Sequence, residues 1–496
     1  MLEGLLIALA PSSLLVIVIG VVIGIVVGAL PGFTATMGTA LLLPFTFALS
    51  PAQGLAMLGG LYVASQFADA VPACLVNTPG TPSAMATAFD GFPLTQQGHG
   101  QKALVAAGFS ALVGTTVGGL AFMFLSGPLA DFALRFGPPQ FFWIGVFALT
   151  IIGSIAGDSL VKGMLGGVLG MLIGTIGISA TGAVSRFTFG LPELLGGVNL
   201  VAALIGVFAF PQVLRMVAAR REQLVVAPYS RSPGVALSTI AEIVRRPVNV
   251  VRSSVIGTVI GILPGAGGPV ASLVSYNEAR RWSKDRQKFG RGAMDGVVAS
   301  EAAGNSAAGG SLVPLAALGI PGSAPAAVIL GALLLQGIRP GPELFLTQPE
   351  LVYAFAFAVL LAGVVTFGFA AALAGALARM VTIPVRFLAP IVLFLSVVGS
   401  FAIRSNLVDV YLMVGIGVAT YFLGKLGFHP GPIGLGIILG PIIEPAMVES
   451  LAIAEGSSMF QVFFGSTVSL VIIALTVLSI VWSVWSGQRE RRHVNA

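Results

Sequence analysis

Charge is what this sequence has least of. Lys, Arg, Asp and Glu together make up 9% of its 496 residues, against 56% hydrophobic residues and a mean hydropathy of +0.99. A soluble domain carries about 25% charge, so this chain cannot cover a water-facing surface. The single cysteine, Cys74, excludes an intrachain disulfide framework and a cysteine-built metal cluster, and it reads as a small apolar packing residue. The three histidines, His99, His429 and His493, form no i,i+4 pair and so provide no metal-ligand spacing. No Gly-x4-Gly-Lys-Ser/Thr loop is present, which excludes an ATPase of that kind. No nucleophile–base constellation argues for an enzyme. Alternating ten-residue strands, the signature of a membrane barrel, are absent too. The first 50 residues hold no Lys or Arg, and Met1-Leu2-Glu3 lacks the basic start of a cleavable signal. The first hydrophobic segment is therefore expected to stay as a membrane span.

Long apolar runs fill the space that charge leaves. Candidates for crossing about 30 Å of hydrocarbon, which takes about 20 residues, are 12–30, 104–126, 141–157, 163–181, 196–214, 351–378, 387–403, 407–426 and 463–485. The fold class is thus an all-α polytopic membrane protein with about 10–12 spans. Its basic residues are clustered. Arg215, Arg220, Arg221, Arg231, Arg245, Arg246 and Arg252 lie in the one long polar stretch; Arg280, Arg281, Lys284, Arg286, Lys288 and Arg291 form a second cluster, and Arg489, Arg491 and Arg492 a third. Clusters beside membrane segments and without interleaved aromatics do not read as a nucleic-acid surface. Short loops rich in Lys and Arg stay cytoplasmic, which puts these loops and the C-terminus inside. The boundaries that follow are a first membrane repeat (1–215), a basic cytoplasmic linker (216–252), a second membrane repeat (253–460) and an additional C-terminal span with a short basic tail (461–496).

The word repeat rests on a pattern that occurs twice. Gly24-x3-Gly28-x2-Pro31-Gly32 returns as Gly257-x3-Gly261-x2-Pro264-Gly265, and each is followed by Val-Ala-Ser (63–65, 298–300) and a second Pro-Gly (79–80, 321–322). The spacing between matching landmarks is 233 at the first Pro-Gly, 235 at Val-Ala-Ser, 242 at the second Pro-Gly, and 246 between Gly153-Ser154 and Gly399-Ser400. A steady drift fits duplication with small insertions. Basic clusters on both sides of residues 253–279 leave too few residues for two spans, so this run reads as a re-entrant hairpin turning at Pro264-Gly265. Its counterpart has uncharged flanks, which suits the opposite membrane face. Matching elements in opposite orientation are inverted repeats, the mark of many secondary transporters.

Broken helices at membrane depth must line a cavity or be buried in protein. Half-helix N-termini offer N–H donors and partial positive charge to anions, while unwound carbonyls suit Na⁺. Small hydroxyl and amide residues crowd the breaks, including Thr36, Thr39 and Ser311. The candidate substrate site is Pro31, Gly32 and Thr34 with Pro264, Gly265 and Gly267 at the first pair of breaks. At the second pair it is Asn77, Thr78, Pro79, Gly80, Thr81 and Ser83 with Pro321, Gly322 and Ser323. Asp69, Glu301, Asn305 and Ser306 are the candidates for a coupling ion, Na⁺ or H⁺, since an intramembrane carboxylate is a functional hypothesis by default. Gln66 stands at the place of Glu301 by the Val-Ala-Ser spacing. Asp158 and Lys162 face Arg404 and Asp409 with signs exchanged and read as loop ion pairs; Glu444 has no assigned place.

The stretch from Gly24 through Pro44 resembles the signature of the TctA family, the large membrane subunit of tripartite tricarboxylate transporters. So do Asp90-Gly91-Phe92-Pro93-Leu94, Ala299-Ser300-Glu301-Ala302-Ala303, Gly319-Ile320-Pro321-Gly322 and the glycine-rich run Gly431–Pro441. The similarity covers about residues 10–460. Two departures stand out: Asn277 takes the place of the proline that would match Pro44, and Thr78 stands opposite Ile320. The resemblance implies a bacterial inner-membrane importer of carboxylates such as citrate, driven by an ion gradient. It also implies a small four-helix membrane subunit (TctB type) and a periplasmic binding protein (TctC type) as partners, and no cofactor beyond a possible coupling Na⁺. An elevator-like motion of the hairpin-bearing part follows by analogy with other hairpin-built transporters. The alternatives are a passive anion channel and an ion-coupled carrier that works without a binding protein.

Overall fold

The computed structural model describes residues 1–30, 32–155, 159–179, 184–218, 232–380 and 387–494. Pro31, Asp158, Arg220, Arg221 and Arg231 lie outside them. The first half of the chain contains α1 (Leu2–Leu9), α2 (Pro11–Ala29), α3 (Ala35–Leu42), α4 (Pro51–Ala68), α5 (Ala70–Val76), α6 (Pro82–Gln96), α7 (Gly100–Ala133), α8 (Pro138–Ile155), α9 (Leu160–Gly174), α10 (Leu200–Phe208) and α11 (Phe210–Ala218). The second contains α12 (Pro233–Arg245), α13 (Pro247–Ile262), α14 (Gly267–Trp282), α15 (Met294–Leu318), α16 (Ala324–Leu335), α17 (Pro342–Thr347), α18 (Pro349–Met380), α19 (Leu388–Ala402), α20 (Leu407–Lys425), α21 (Pro430–Ala454), α22 (Met459–Phe464) and α23 (Thr467–Val494).

Among the described residues, six helical segments are long and apolar enough to cross a membrane: Pro11–Ala29, Gly100–Ala133, Leu200–Ala218, Pro349–Ala372, Leu407–Lys425 and Pro430–Ala454. The other apolar helices are shorter, which is why runs such as 141–157 and 163–181 do not stand as full spans. Pro430–Ala454 was not among the expected spans, because Pro441, Glu444 and Pro445 interrupt its apolar run. The basic linker is not wholly irregular either. It holds α12, and the first helix of the second half starts at Pro247 rather than at 253.

Two compact units form, and each takes segments from both halves: Met1–Ala130 with Gln212–Leu393, and Asp131–Pro211 with Phe394–Ala496. In the first unit, α2 packs on α4 as α13 packs on α15. The cause is the glycine ladder. A Cβ on Gly24 or Gly28 would strike the backbone at Leu61 or Ser65, and one on Gly257 or Gly261 would strike Ala303 or Ala307. Only glycine allows this approach, as in close-packed membrane helices. The opposite faces of the same helices carry Leu15, Ile19, Val22 and Val26 on α2 and Val248, Val251, Val255 and Val259 on α13, all exposed. Spacings of three and four residues gather these side chains into one exposed apolar stripe on each helix.

The helix α15 is the centre of this unit. Every residue from Gly296 to Ala317 is buried, as are Gly54 to Ala68 of α4. The start of α4 is fixed by a capping box, with Ser50 Oγ accepting from Gln53 N (3.4 Å) and Ser50 N donating to Gln53 Oε1 (3.3 Å). One acid ties the elements together. Asp90, buried on α6, accepts from the N–H groups of Gly290 (2.8 Å), Gly292 (2.9 Å) and Ala293 (2.8 Å) and from Tyr276 Oη (2.9 Å). The loop between α14 and α15 is thereby tied to α6.

The second unit has its own glycine crossing, where α9 meets α21 at Gly166, Gly170 and Gly436. Arg404 binds Asp409 through two nitrogens (2.6 and 2.9 Å), so the expectation of a structural ion pair holds there. Lys162 donates to the Leu426 carbonyl (2.6 Å). Glu444 finds its place here as well, bound bidentately by Arg186 at 2.8 and 3.1 Å. Two strands of two residues each, β1 (Gly177–Ile178) and β2 (Ser185–Arg186), pair antiparallel beside it.

Candidate functional site

The first unit contains four helix starts that follow a break in the chain. At the first pair, α2 ends at Leu30 (φ −89°, ψ 123°) and α13 ends at Leu263 (φ −73°, ψ 123°). Each turn then passes through a glycine in the left-handed region, Gly32 (φ 83°) and Gly265 (φ 80°), and leads into α3 and α14. The second pair is as closely matched. Asn77 (φ 53°, ψ 33°) ends α5 and Gly319 (φ 71°, ψ 22°) ends α15, both left-handed. The next N–H in each case returns to a proline carbonyl, Thr78 to Pro72 and Ile320 to Pro314, each at 3.2 Å. A left-handed cap of this sort closes a helix C-terminus, and the following Pro-Gly opens α6 and α16.

This geometry corrects the register of the repeat. Leu61 and Ser65 take the packing roles of Ala303 and Ala307, and Pro72 takes that of Pro314, a spacing of 242 throughout. The two Val-Ala-Ser sequences, 235 apart, are therefore not structural equivalents. The difference is seven residues, about two helical turns, so the false match keeps the same helix face. Gln66 is the counterpart of Ala308, Glu301 of Gly59, and Asp69 of Ser311.

The last of these pairs matters most. Thr81 donates to Asp69 Oδ2, and in the other half Ser323 Oγ meets Ser311 Oγ at 3.1 Å. Tyr62 on α4 completes the second cluster, 2.9 Å from Ser323 Oγ and 3.3 Å from Ser311 Oγ. One break thus carries a carboxylate where the other carries a hydroxyl. Glu301 takes Thr87 Oγ1 on one oxygen (2.5 Å) and Asn305 Nδ2 on the other (3.2 Å). Asp69 is 1% exposed and Glu301 3%. Asp69 follows the last residue of α4, Glu301 lies in α15, and the two helices pack against each other. Neither belongs to any ion pair among the described residues.

The expected site residues divide into three groups. Gly265, Gly267, Gly322, Ser323 and Ser83 gather at the start of α14: Gly265 N donates to Gly322 O (3.0 Å), and a Cβ on Gly267 would lie 3.4 Å from Ser323 Cβ. Pro264 and Pro321 are buried beside them in sequence. Gly80 meets the first tip, where a Cβ would lie 3.3 Å from Phe33 O, and Gln212 Nε2 donates to Gly32 O. Other residues are committed locally. Thr34 Oγ1 caps α3 (3.2 Å from Met37 N), Thr78 Oγ1 turns back to Val76 O (3.1 Å), and Ser306 Oγ donates to Ala303 O (3.1 Å). Asn77 is exposed, and Pro79 is half-buried beside it. Asn305 Oδ1 has no partner; it and the unpartnered Thr366 Oγ1 line one cavity of about 10 Å³, the room of a single water.

The sequence carries no sign of Tyr62 and Thr87, whose contacts reach across more than 200 residues of chain, and it sets Gln66 opposite Glu301 by a false register. Asp90 had a signal, since it opens Asp90-Gly91-Phe92-Pro93, but its partners are backbone groups that no motif names.

Fold and site together define a multi-pass helical membrane protein with two pairs of helix breaks and two buried acids in one unit. The chain belongs to the Tripartite tricarboxylate transporter TctA family, whose model matches residues 14–435. It is also similar to two proteins of Agrobacterium vitis. One, described as an uncharacterized 52.8 kDa protein in the TAR-I ttuC' 3' region, is 34% identical over 486 residues, 98% of this chain and 96% of the relative. The other, described as an uncharacterized protein in the TAR-II ttuC' 3' region, is 33% identical over 236 residues, 48% of this chain and 97% of the relative. No solved structure matches.

Proposed function

We propose that this chain is the large transmembrane subunit of a secondary transporter that imports carboxylates, with a tricarboxylate or a related organic acid as substrate. Family membership supports the transporter class. The observation that carries the ion-driven reading is the pair Asp69 and Glu301, both buried, both bound by hydroxyls of the α6 segment, and neither with a basic partner among the described residues. A carboxylate removed from water without a basic partner is stable only with a proton or a cation bound to it. Thr81 at Asp69, and Thr87 with Asn305 at Glu301, are the neutral partners there. A Na⁺ or H⁺ bound there changes the local charge by one unit, and an anion nearby then binds more readily. That is coupling in its simplest form, a reciprocal free energy between two sites.

In this reading the two halves are inverted repeats. The α13–α14 and α2–α3 pairs are hairpins entering from opposite membrane faces, as the basic flanks of one and the uncharged flanks of the other suggest. The hairpin-bearing part moves in an elevator-like step. The protein works in the bacterial inner membrane with its basic loops and C-terminus in the cytoplasm. A small four-helix membrane subunit and a periplasmic binding protein complete the machine, and the latter sets most of the selectivity, because no Lys or Arg stands at the breaks.

Reconstitution tests this. Purified protein in liposomes, with and without the two partner subunits, is given labelled di- and tricarboxylates under an imposed Na⁺ or H⁺ gradient. Uptake that needs both the gradient and the binding protein is expected. Uptake down the substrate gradient alone would mean a passive channel, and gradient-driven uptake without the binding protein would mean a simple carrier.

A further inference from the structure

The four helix starts at the breaks are not alike. Two are closed by their own side chains: Thr34 caps α3, and Ser323 Oγ caps α16 by accepting from Ala326 N (3.3 Å). The other two are open. Thr81 at the start of α6 is turned to Asp69, and no side chain caps α6. The residue of α14 that matches Thr34 is Gly267, which has no side chain, and α14 is uncapped as well. Pro269 has no N–H, so Gly267 and Gly268 present the free donors of that tip.

The two open starts meet. A methyl group on Gly268 would lie 2.6 Å from Ser83 Oγ, in the first turn of α6, and 2.9 Å from Gln66 Nε2. Ser83 is 7% exposed and Gln66 8%. Both are more than nine-tenths buried, neither side chain has a hydrogen-bond partner among the described residues, and their polar tips are not sealed in protein but reach open space. Donors held beside open space without a protein acceptor are free to bind a ligand. Two such groups beside two uncapped helix N-termini of 15 and 16 residues call for one acceptor-rich, negatively charged guest.

We propose that a carboxylate group of the substrate binds where α6 and α14 converge, held by Gln66 Nε2, Ser83 Oγ and the N–H groups of Gly267 and Gly268, with Gln66 as the specificity-determining side chain. The inference rests on the carboxylate-transporter reading and gives it a place. It also gives coupling a short path. Asp69 follows Gln66 by three residues on the same side of the chain's helical run, so an anion at Gln66 feels the charge of the acid pair and binds best once a cation or proton is there. An amide suits this role better than Lys or Arg. It orients a carboxylate without a fixed charge that would cancel the dependence on the coupling ion.

The test uses the complete transporter in liposomes, with labelled succinate, malate, tartrate and citrate as probes, and the best-transported probe is carried forward. Gln66→Leu is expected to raise KM about tenfold or more, the loss of one hydrogen bond to a charged group. Gln66→Glu is expected to abolish uptake, and Ser83→Ala to raise KM severalfold. Each variant is checked for an unchanged melting curve in detergent. Independently of turnover, Ser83→Cys is labelled with a methanethiosulfonate reagent; the native Cys74 is fully buried. Slower labelling in the presence of the probe is the expected result. If the wild type transports carboxylates while Gln66→Glu retains its KM and Ser83→Cys shows no protection, the placement is wrong and the transporter reading stands. If the wild type transports none of the probes, that reading fails and the placement with it.

Discussion

At the scale of single residues, the site is an imbalance between two halves that share one backbone plan. Asp69 and Ser311 occupy equivalent places, as do Thr81 and Ser323, yet only one pair holds a carboxylate. The same asymmetry separates Thr34 from Gly267. Substitutions at such positions have sharply different expected effects. Asp90→Ala removes the acceptor of four hydrogen bonds at a buried position. It should lower stability by about 3 kcal/mol or more, read as a fall in melting temperature of the detergent-solubilised protein. Tyr276→Phe removes one of the four and should cost about 1 kcal/mol in the same assay.

The residue scale is also where sequence reading reached least far. Asp69 and Glu301 could be singled out because a carboxylate in an apolar run is conspicuous. That hydroxyls of one segment, Thr81 and Thr87, bind both could not be read, since the Thr87–Glu301 contact joins helices from opposite halves. Gln66 was named only as the supposed counterpart of Glu301. The packing gives it a different counterpart, Ala308, and a different place, against Gly268 and Ser83.

At the scale of elements, glycine spacing was the most legible signal. Gly-x3-Gly-x2-Pro-Gly in both halves corresponds to a helix, a left-handed turn and a second helix, with the same backbone angles at Leu30 and Leu263. The Val-Ala-Ser landmark misled because seven residues return to the same face of a helix. Sequence alone cannot distinguish that slip from true register; the carbonyls that Gly24, Gly28, Gly257 and Gly261 touch can. These contacts also fix an expected result. Gly261→Ala places a methyl group against the backbone of Ala307, which cannot retreat as a side-chain tip could. Overpacking of this kind should cost about 1–3 kcal/mol, and the matched Gly28→Ala should behave alike in the same melting assay. Thr34→Ala, by contrast, removes only a cap and should cost about 1 kcal/mol.

At the scale of the whole molecule, the linear division into two repeats and the spatial division into two units are different cuts of the same chain. All four Pro-Gly breaks belong to one unit, and the glycine crossing of α9 and α21 to the other. Charge clustering and hydropathy made the membrane class plain, since 9% charge leaves no other solution. They could not show that segments 200 residues apart would assemble into one compact body. The helix α21 shows the limit from the other side: it is long and apolar enough to span, but two prolines and Glu444 hid it in the sequence.

The central claim is that the acid pair Asp69 and Glu301 links a cation or proton to carboxylate movement. Its most direct test compares two modes of transport in the same liposomes, gradient-driven uptake and substrate exchange at equal concentrations, for the wild type, Asp69→Asn and Glu301→Gln. The account expects both neutral variants to lose gradient-driven uptake while retaining exchange that no longer responds to Na⁺ or pH. Gradient-driven uptake at wild-type rates in both variants would contradict it.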